Sequence, residues 1–204
     1  MYFTPEVMNR TMKTGARRLV RLENADGYGV SDYRAVKEDY RNLLSRSGCR
    51  VNSTRISNVA VEVDFFAPGE AEADEARSVL AGRGRILSTT DLMREEPPGS
   101  TAQVMEEARK LFNEERFWEV HEKVEGIWRV SSGEEKEVQQ SIILYASALV
   151  HHQKDEKETT LRMLGRALDK MKGRGSSYYC FDLDRMREEA EGMRRRGSVS
   201  IFRL

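Results

Sequence analysis

The chain has 204 residues, of which 39% are hydrophobic, and its 34 basic and 34 acidic side chains cancel to no net charge. No stretch approaches the roughly 18 consecutive apolar residues that cross a bilayer, so we expect no membrane partner. Neither half has a basic excess of the kind that drives counterion release on nucleic acids, so we also expect no nucleic-acid partner.

The sequence has no recognisable secretion signal and only two cysteines. Residues 1–12 lack a basic cluster followed by an apolar run, which predicts no secretory signal peptide and a cytoplasmic location. The chain has only Cys49 and Cys180, far apart and outside any CxxC pair. This usage argues against a disulfide framework and against a cysteine-based zinc site.

A break in the periodic pattern divides the chain. Residues 94–100 read REEPPGS, and this combination of charge, a proline pair and glycine is typical of a linker. We therefore predict two domains, residues 1–93 and residues 101–204, joined by a linker at residues 94–100.

The first domain alternates between strand and helix patterns. In residues 58–66, apolar side chains at Val59, Val61, Val63 and Phe65 alternate with Ala60, Glu62 and Asp64, which predicts a strand with one apolar face. The order strand, helix, strand, strand, helix, strand predicts a ferredoxin-like α+β domain with two helices on one side of a four-stranded antiparallel sheet. The predicted strands are 17–23, 50–55, 58–66 and 85–88, and the helices are 32–47 and 70–82. This half has neither an RNP-type aromatic strand nor a GxGxxG turn, which favours a structural or dimerising role, with small-ligand sensing as the alternative.

The second domain is predicted to be all helical. Ser100 and Gln103 form a capping-box pattern for a helix that ends near Asn113, and Asp182 is placed to cap the last helix. Asp155 and Glu158 show a similar pattern before a leucine-rich helix. With the helices predicted over 117–129 and 134–153, about five helices should pack as a bundle.

The candidate chemistry lies in FWEVHEKVEGIWR, residues 117–129. His121 and Glu125 are one helical turn apart and could ligate a metal together, with Glu122 turned toward the same site. Further ligands could come from His151 and His152, at the end of the helix predicted over 134–153.

A structural role for His121 is the alternative to metal binding. Its imidazole could donate and accept hydrogen bonds inside the bundle, with Glu122 or Gln140 as partner, and so fix helix packing. The HExxH pattern of zinc proteases and the ExxH pairs of di-iron bundles are both absent. His151 and His152 lie where a protonated imidazole suits the negative end of a helix dipole.

Three segments, residues 112–129, 139–154 and 161–171, resemble the helical family catalogued as domain of unknown function 309. The hallmark of that family looks like an aromatic pair followed by HExxExxW. The residues that match it are Trp118, His121, Glu122, Glu125 and Trp128. In the next helix, Gln140, Ala146 and His151 or His152 are similar to the family's glutamine, small residues and histidine. The resemblance covers residues 101–193 and implies an all-α bundle.

The resemblance implies no activity, since none is established for the family. One departure concerns the turn before the aromatic pair, where the family often has glycine and this chain has Glu115 and Arg116. The geometry of that turn therefore cannot be carried over from the family.

These observations give three functional hypotheses, and whether the chain is an enzyme stays open. The first is a non-catalytic helical module that binds a small molecule or a protein partner; its candidate residues are Trp118, His121, Glu122, Glu125, Trp128 and Gln140. The second is a hydrolase in which His121, Glu125 and His151 or His152 hold a divalent metal, the one cofactor suggested, and Glu122 is the general base. The third is a homo-oligomeric assembly protein that pairs through the sheet of its first domain.

Overall fold

The structure is a computed structural model that describes residues 15–94 and 99–204. The chain divides into two compact units, Met1–Glu95 and Glu96–Leu204. The segment in which we predicted no signal peptide, residues 1–12, lies outside the described residues, as do residues 95–98 of the predicted linker. No helix in residues 15–94 and 99–204 has the length and the apolar run needed to cross a membrane.

Within residues 15–94, the first unit contains four strands and two α-helices in the predicted order, with a short 3-10 helix (Val30–Asp32) before the first α-helix. The strands are β1 (Ala16–Glu23), β2 (Arg50–Ile56), β3 (Ala60–Ala67) and β4 (Ile86–Asp91), and the helices are α1 (Tyr33–Ser45) and α2 (Glu70–Ala81). All pairings are antiparallel and the sheet order is β2-β3-β1-β4. This order confirms the ferredoxin-like α+β fold.

One face of this sheet packs on the helices. Val61, Val63 and Phe65 of β3 are buried in a core with the apolar stripes of α1 and α2. Val59, which we placed on the same stripe, precedes β3 and is 43% exposed. The apolar face of the predicted alternation therefore begins at Val61.

The other face of the sheet carries charged side chains, some of which are also buried. Glu62 and Asp64 are 2% and 1% exposed, and both are paired with arginines. Arg55 on β2 and Arg21 on β1 place their Nε atoms 2.6 and 3.4 Å from the carboxylate of Glu62. Buried charges need such partners, because the interior solvates them poorly.

Within residues 99–204, the second unit contains five α-helices, as predicted. They are α3 (Thr101–Asn113), α4 (Phe117–Trp128), α5 (Gly133–His152), α6 (Lys157–Met171) and α7 (Leu183–Arg196). The α+β region is therefore followed by a helical region, which confirms the predicted fold class. The capping box of Ser100 with Gln103 and the Asp182 cap are both present. The predicted Asp155 cap is wrong, because Glu156 precedes α6 and makes no side-chain cap bond.

The core of this unit surrounds α5, whose central residues are buried nearly all round. Phe112 of α3 contacts the rings of Phe117, Tyr145, Phe181 and Phe202, with centroid distances of 5.2 to 6.4 Å. A short hairpin, β5 (Ser177–Tyr178) with β6 (Phe181–Asp182), joins α6 to α7 and contributes Phe181 to this cluster. The aromatic cluster therefore ties together α3, α4, α5, the hairpin and the segment after α7.

Candidate functional site

Helix α4 presents the candidate residues because its sequence is amphipathic. Phe117, Val120, Val124 and Ile127 are buried in the bundle core. The turn before the helix is held by Arg116, whose guanidinium donates two 2.7 Å hydrogen bonds to the carboxylate of Glu119. With one stripe fixed in the core, the remaining stripe of α4 must face outward.

Three side chains on that outer stripe form one group. A nitrogen or oxygen atom from each of His121, Glu122 and Glu125 lies within 4.8 Å of the others. The Nδ1 atom of His121 is 3.1 Å from Oε1 of Glu122 and 3.9 Å from Oε2 of Glu125. The exposed fractions of the three side chains are 28%, 48% and 28%, so the group lies at the surface of the helix. We call these three residues the α4 triad.

Arg129 extends the α4 triad by one helical turn. Its guanidinium donates a 3.2 Å hydrogen bond to Oε1 of Glu125, while the other oxygen of Glu125 is the one nearer His121. The two oxygens of this carboxylate thus face different partners. Glu125 and Arg129 are four residues apart, a spacing that indicates an ion pair along a helix.

Aromatic side chains lie at both ends of the stripe. Trp118 and Trp128 are partly buried and pack against the bundle core. The ammonium group of Lys136, on α5, lies 4.5 Å from the ring centroid of Trp128. Our sequence analysis missed Lys136, because a contact between two helices leaves no spacing signal. Gln140, one turn further along α5, is half-buried and makes no hydrogen bond to the α4 triad within the described residues.

His151 and His152 are the last two residues of α5, as predicted, but the structure does not place them in the α4 triad. The Nδ1 atom of His151 is 2.5 Å from Oε2 of Glu156. Burial lowers the pKa of His152 from its ordinary value, and the nearby carboxylates of Glu115 and Asp155 partly oppose this shift. Each of these histidines therefore has carboxylate neighbours of its own.

Glu115 lies in the turn that leads into α4. This residue has φ of 60°, in the left-handed region where glycine is unstrained and most side chains are disfavoured. Its carbonyl accepts a 2.7 Å hydrogen bond from the side-chain amide of Gln153, just after α5. Gln153 therefore holds a turn in which Glu115 has a left-handed backbone.

A shallow depression lies elsewhere on the second unit. It has a volume of about 520 Å³ and is lined by Ala102, Gln103, Glu106, Glu107 and Lys110, all on α3. None of these residues belongs to the α4 triad. We assign it no role in the candidate site.

Comparison with known families matches residues 105–163 to a family described as "Domain of unknown function (DUF309)". The matched residues run from α3 into α6 and include the whole of α4 with its triad. A search of curated proteins found no match to this chain.

Proposed function

We propose from the site alone that the helical unit, whose residues 105–163 match the DUF309 family, is a non-catalytic binding module. Its ligand is a divalent transition-metal ion, held on the surface of α4 by Nδ1 of His121 and the carboxylates of Glu122 and Glu125. The convergence of these three groups within 4.8 Å is the observation on which the proposal depends.

The distances within the α4 triad suit a metal ion. Zinc binds imidazole nitrogen and carboxylate oxygen at about 2.0 to 2.2 Å, so two ligands of one tetrahedral ion lie about 3.4 Å apart. The separations of 3.1 and 3.9 Å from Nδ1 of His121 bracket that value, so only small side-chain movements are needed. Arg129 supports one such position, because it holds one oxygen of Glu125 away from His121.

The exposure of the triad favours binding over hydrolysis. Metal hydrolases activate water inside clefts that exclude bulk solvent and hold the substrate. Glu122, the general base of the hydrolase hypothesis, is 48% exposed on a helix surface. Three protein ligands leave at least one coordination position for water or for a donor group from a partner. The metal would then bridge the module to a protein segment that lies along the stripe between Trp118 and Trp128.

The test is calorimetric titration of the full-length protein, purified without a histidine tag, with zinc and then with cobalt. We expect one ion per chain, and for cobalt a visible absorption spectrum typical of nitrogen and oxygen ligands. His121→Ala and Glu125→Gln should each weaken binding by at least about tenfold, since each removes a ligand. Acidification should also weaken it, because a protonated imidazole cannot bind a metal.

The matched control is His151→Ala. It removes a half-exposed histidine that also contacts a carboxylate, Glu156, but lies outside the α4 triad. We expect this variant to bind metal as the wild type does. Equal binding by the wild type and His121→Ala would overturn the proposal. Loss of binding in both histidine variants would instead favour the larger ligand set predicted from the sequence.

A further inference from the structure

The segment after α7, Ser198–Leu204, lies on the helical bundle without forming secondary structure. Helix α7 ends at Arg196, the following Gly197 has φ of 61°, and the amide of Ser198 donates to the carbonyl of Met193. From this turn the chain runs in irregular conformation to the aromatic core, where Phe202 contacts Phe112 and Tyr145. Phe202 is the hydrophobic residue of this segment whose side chain is buried.

An aromatic pocket receives Phe202. Its ring is 9% exposed and lies 5.4 Å from the ring centroid of Phe112 and 6.1 Å from that of Tyr145, both edge-on. The guanidinium of Arg185, on α7, lies 5.6 Å from the Phe202 ring centroid. Two aromatic edges and a cation are the usual surroundings of a bound aromatic side chain.

A side-chain amide binds the main chain two residues further on. Oδ1 of Asn113 accepts a 2.7 Å hydrogen bond from the amide of Leu204, and Nδ2 of Asn113 donates a 3.1 Å bond to the carbonyl of Leu204. One asparagine thus satisfies both backbone polar groups of one residue, as a neighbouring strand would. This arrangement recognises an extended backbone, whatever side chain the residue carries.

The segment is held at few points. Within the described residues, its backbone makes hydrogen bonds to the protein only at Ser198 and Leu204. Val199, Ile201 and Leu204 are only partly buried against the core. Segments with so few buried contacts and backbone hydrogen bonds open locally far more often than the domain unfolds.

We propose that this groove is a peptide-binding site and that Ser198–Leu204 is its exchangeable occupant. The site takes an extended segment in which phenylalanine enters the pocket of Phe112 and Tyr145, and a residue two positions later is bound through its backbone by Asn113. Aliphatic neighbours, as at Ile201 and Leu204, fit the partly buried flanks. A partner with this pattern binds when the chain's own segment leaves. This proposal concerns residues outside the α4 triad and does not depend on metal binding.

The experiment uses full-length protein and a fluorescent peptide with the sequence of residues 198–204. In the wild type, the attached segment competes at the millimolar effective concentration typical of a short tether, so the peptide should bind poorly. In Phe202→Ala, the attached segment loses its anchor and the pocket is open to the peptide. Fluorescence anisotropy should show binding to Phe202→Ala at least about tenfold tighter than to the wild type.

Two controls make the result specific. Adding Asn113→Ala to the Phe202→Ala protein should weaken peptide binding by about tenfold or more, because both backbone hydrogen bonds are lost. A peptide with alanine in place of phenylalanine should not bind. If Phe202→Ala keeps the wild-type circular dichroism and binds the peptide no better than the wild type, the proposal is wrong.

If Phe202→Ala does not fold, amide hydrogen exchange of the wild-type protein tests whether the segment leaves the groove. The amide of Leu204 should then exchange at least about a hundredfold faster than that of Tyr145 in the middle of α5, since the segment opens without the bundle. Equal protection at the two amides would mean that the segment is an integral part of the core, and the proposal would fail.

Discussion

The side-chain amide of Gln153 donates a 2.7 Å hydrogen bond to the backbone carbonyl of Glu115. The two residues are 38 positions apart, one just after α5 and the other in the turn that leads into α4. Gln153 is buried, with 2% of its surface exposed. This bond therefore fixes the turn from which α4, and with it the α4 triad, is positioned.

Gln153→Leu should destabilise the second unit. The leucine keeps most of the volume but removes the hydrogen bond to the carbonyl of Glu115, and the loss of one such bond costs about 0.5 to 1.5 kcal/mol. Urea unfolding should show this decrease in the free energy of unfolding. Gln140→Leu is the control, since Gln140 is half-buried on α5 and its substitution should change stability by less than about 0.5 kcal/mol. An equal effect of both substitutions would contradict this role for Gln153.

Glu115→Gly should leave the protein as stable as the wild type or more so. A side chain in the left-handed region costs of order 1 kcal/mol, which glycine avoids, although glycine also gains freedom in the unfolded chain. Glu114→Gly is the matched control, because Glu114 has an ordinary φ of −92° and glycine there should destabilise by about 0.5 to 1 kcal/mol. Thermal unfolding of the two variants compares them directly. A greater loss in Glu115→Gly than in Glu114→Gly would show that the side chain of Glu115 matters more than its backbone.

Glu62→Gln should be among the most destabilising single substitutions in the first unit. Glu62 lies between the buried guanidinium groups of Arg21 and Arg55, and breaking a buried ion pair on one side costs about 3 to 5 kcal/mol. The control is Glu23→Gln, whose partner Arg85 is 2.7 Å away but largely exposed to solvent. Solvent screens an exposed ion pair, so this control should remain close to the wild type. Chemical denaturation would contradict this reasoning if the two substitutions cost the same.

The elements of both units were predictable because their patterns are local. Helix α3 begins at the Ser100 and Gln103 capping box and α7 at the Asp182 cap, as the sequence indicated. The Asp155 cap failed because Asp155 adopts φ of 59° in the turn after α5, which leaves Glu156 next to the helix. The hairpin from β5 to β6 was missed, since two-residue strands have no periodicity, and Tyr179 takes a positive φ that asparagine or glycine usually signals.

Contacts between elements were harder to predict. Alternation in β3 placed Val61 and Val63 on one face and Glu62 and Asp64 on the other, but it could not reveal that Glu62 and Asp64 are buried as well. Their burial depends on the register of β1 and β2 with β3, which brings arginines next to the two carboxylates. In the second unit, helical spacing predicted that His121, Glu122 and Glu125 share one face. The positions of His151 and His152 depend on how α4 and α5 pack, which spacing does not contain.

The half-buried position of His152 gives the second unit a predictable response to pH. Burial lowers the pKa of His152 in the folded state, whereas in the unfolded chain the imidazole has its ordinary value of 6.5. Between these two values the unfolded state binds more protons than the folded state, so the free energy of unfolding rises with pH. Stability is therefore fully present above about pH 6.5 and is lost as the pH falls toward the lowered folded value.

His152→Gln should flatten this dependence, because the titrating group is gone. Urea midpoints measured from about pH 5 to pH 8 should change less with pH in the variant than in the wild type. Glu115→Gln should act in the opposite direction, since the Glu115 carboxylate raises the pKa of His152 and its removal lowers that pKa further. The loss of stability should then continue to lower pH than in the wild type. A steeper pH dependence in His152→Gln, or a flatter one in Glu115→Gln, would contradict the assignment of this response to His152.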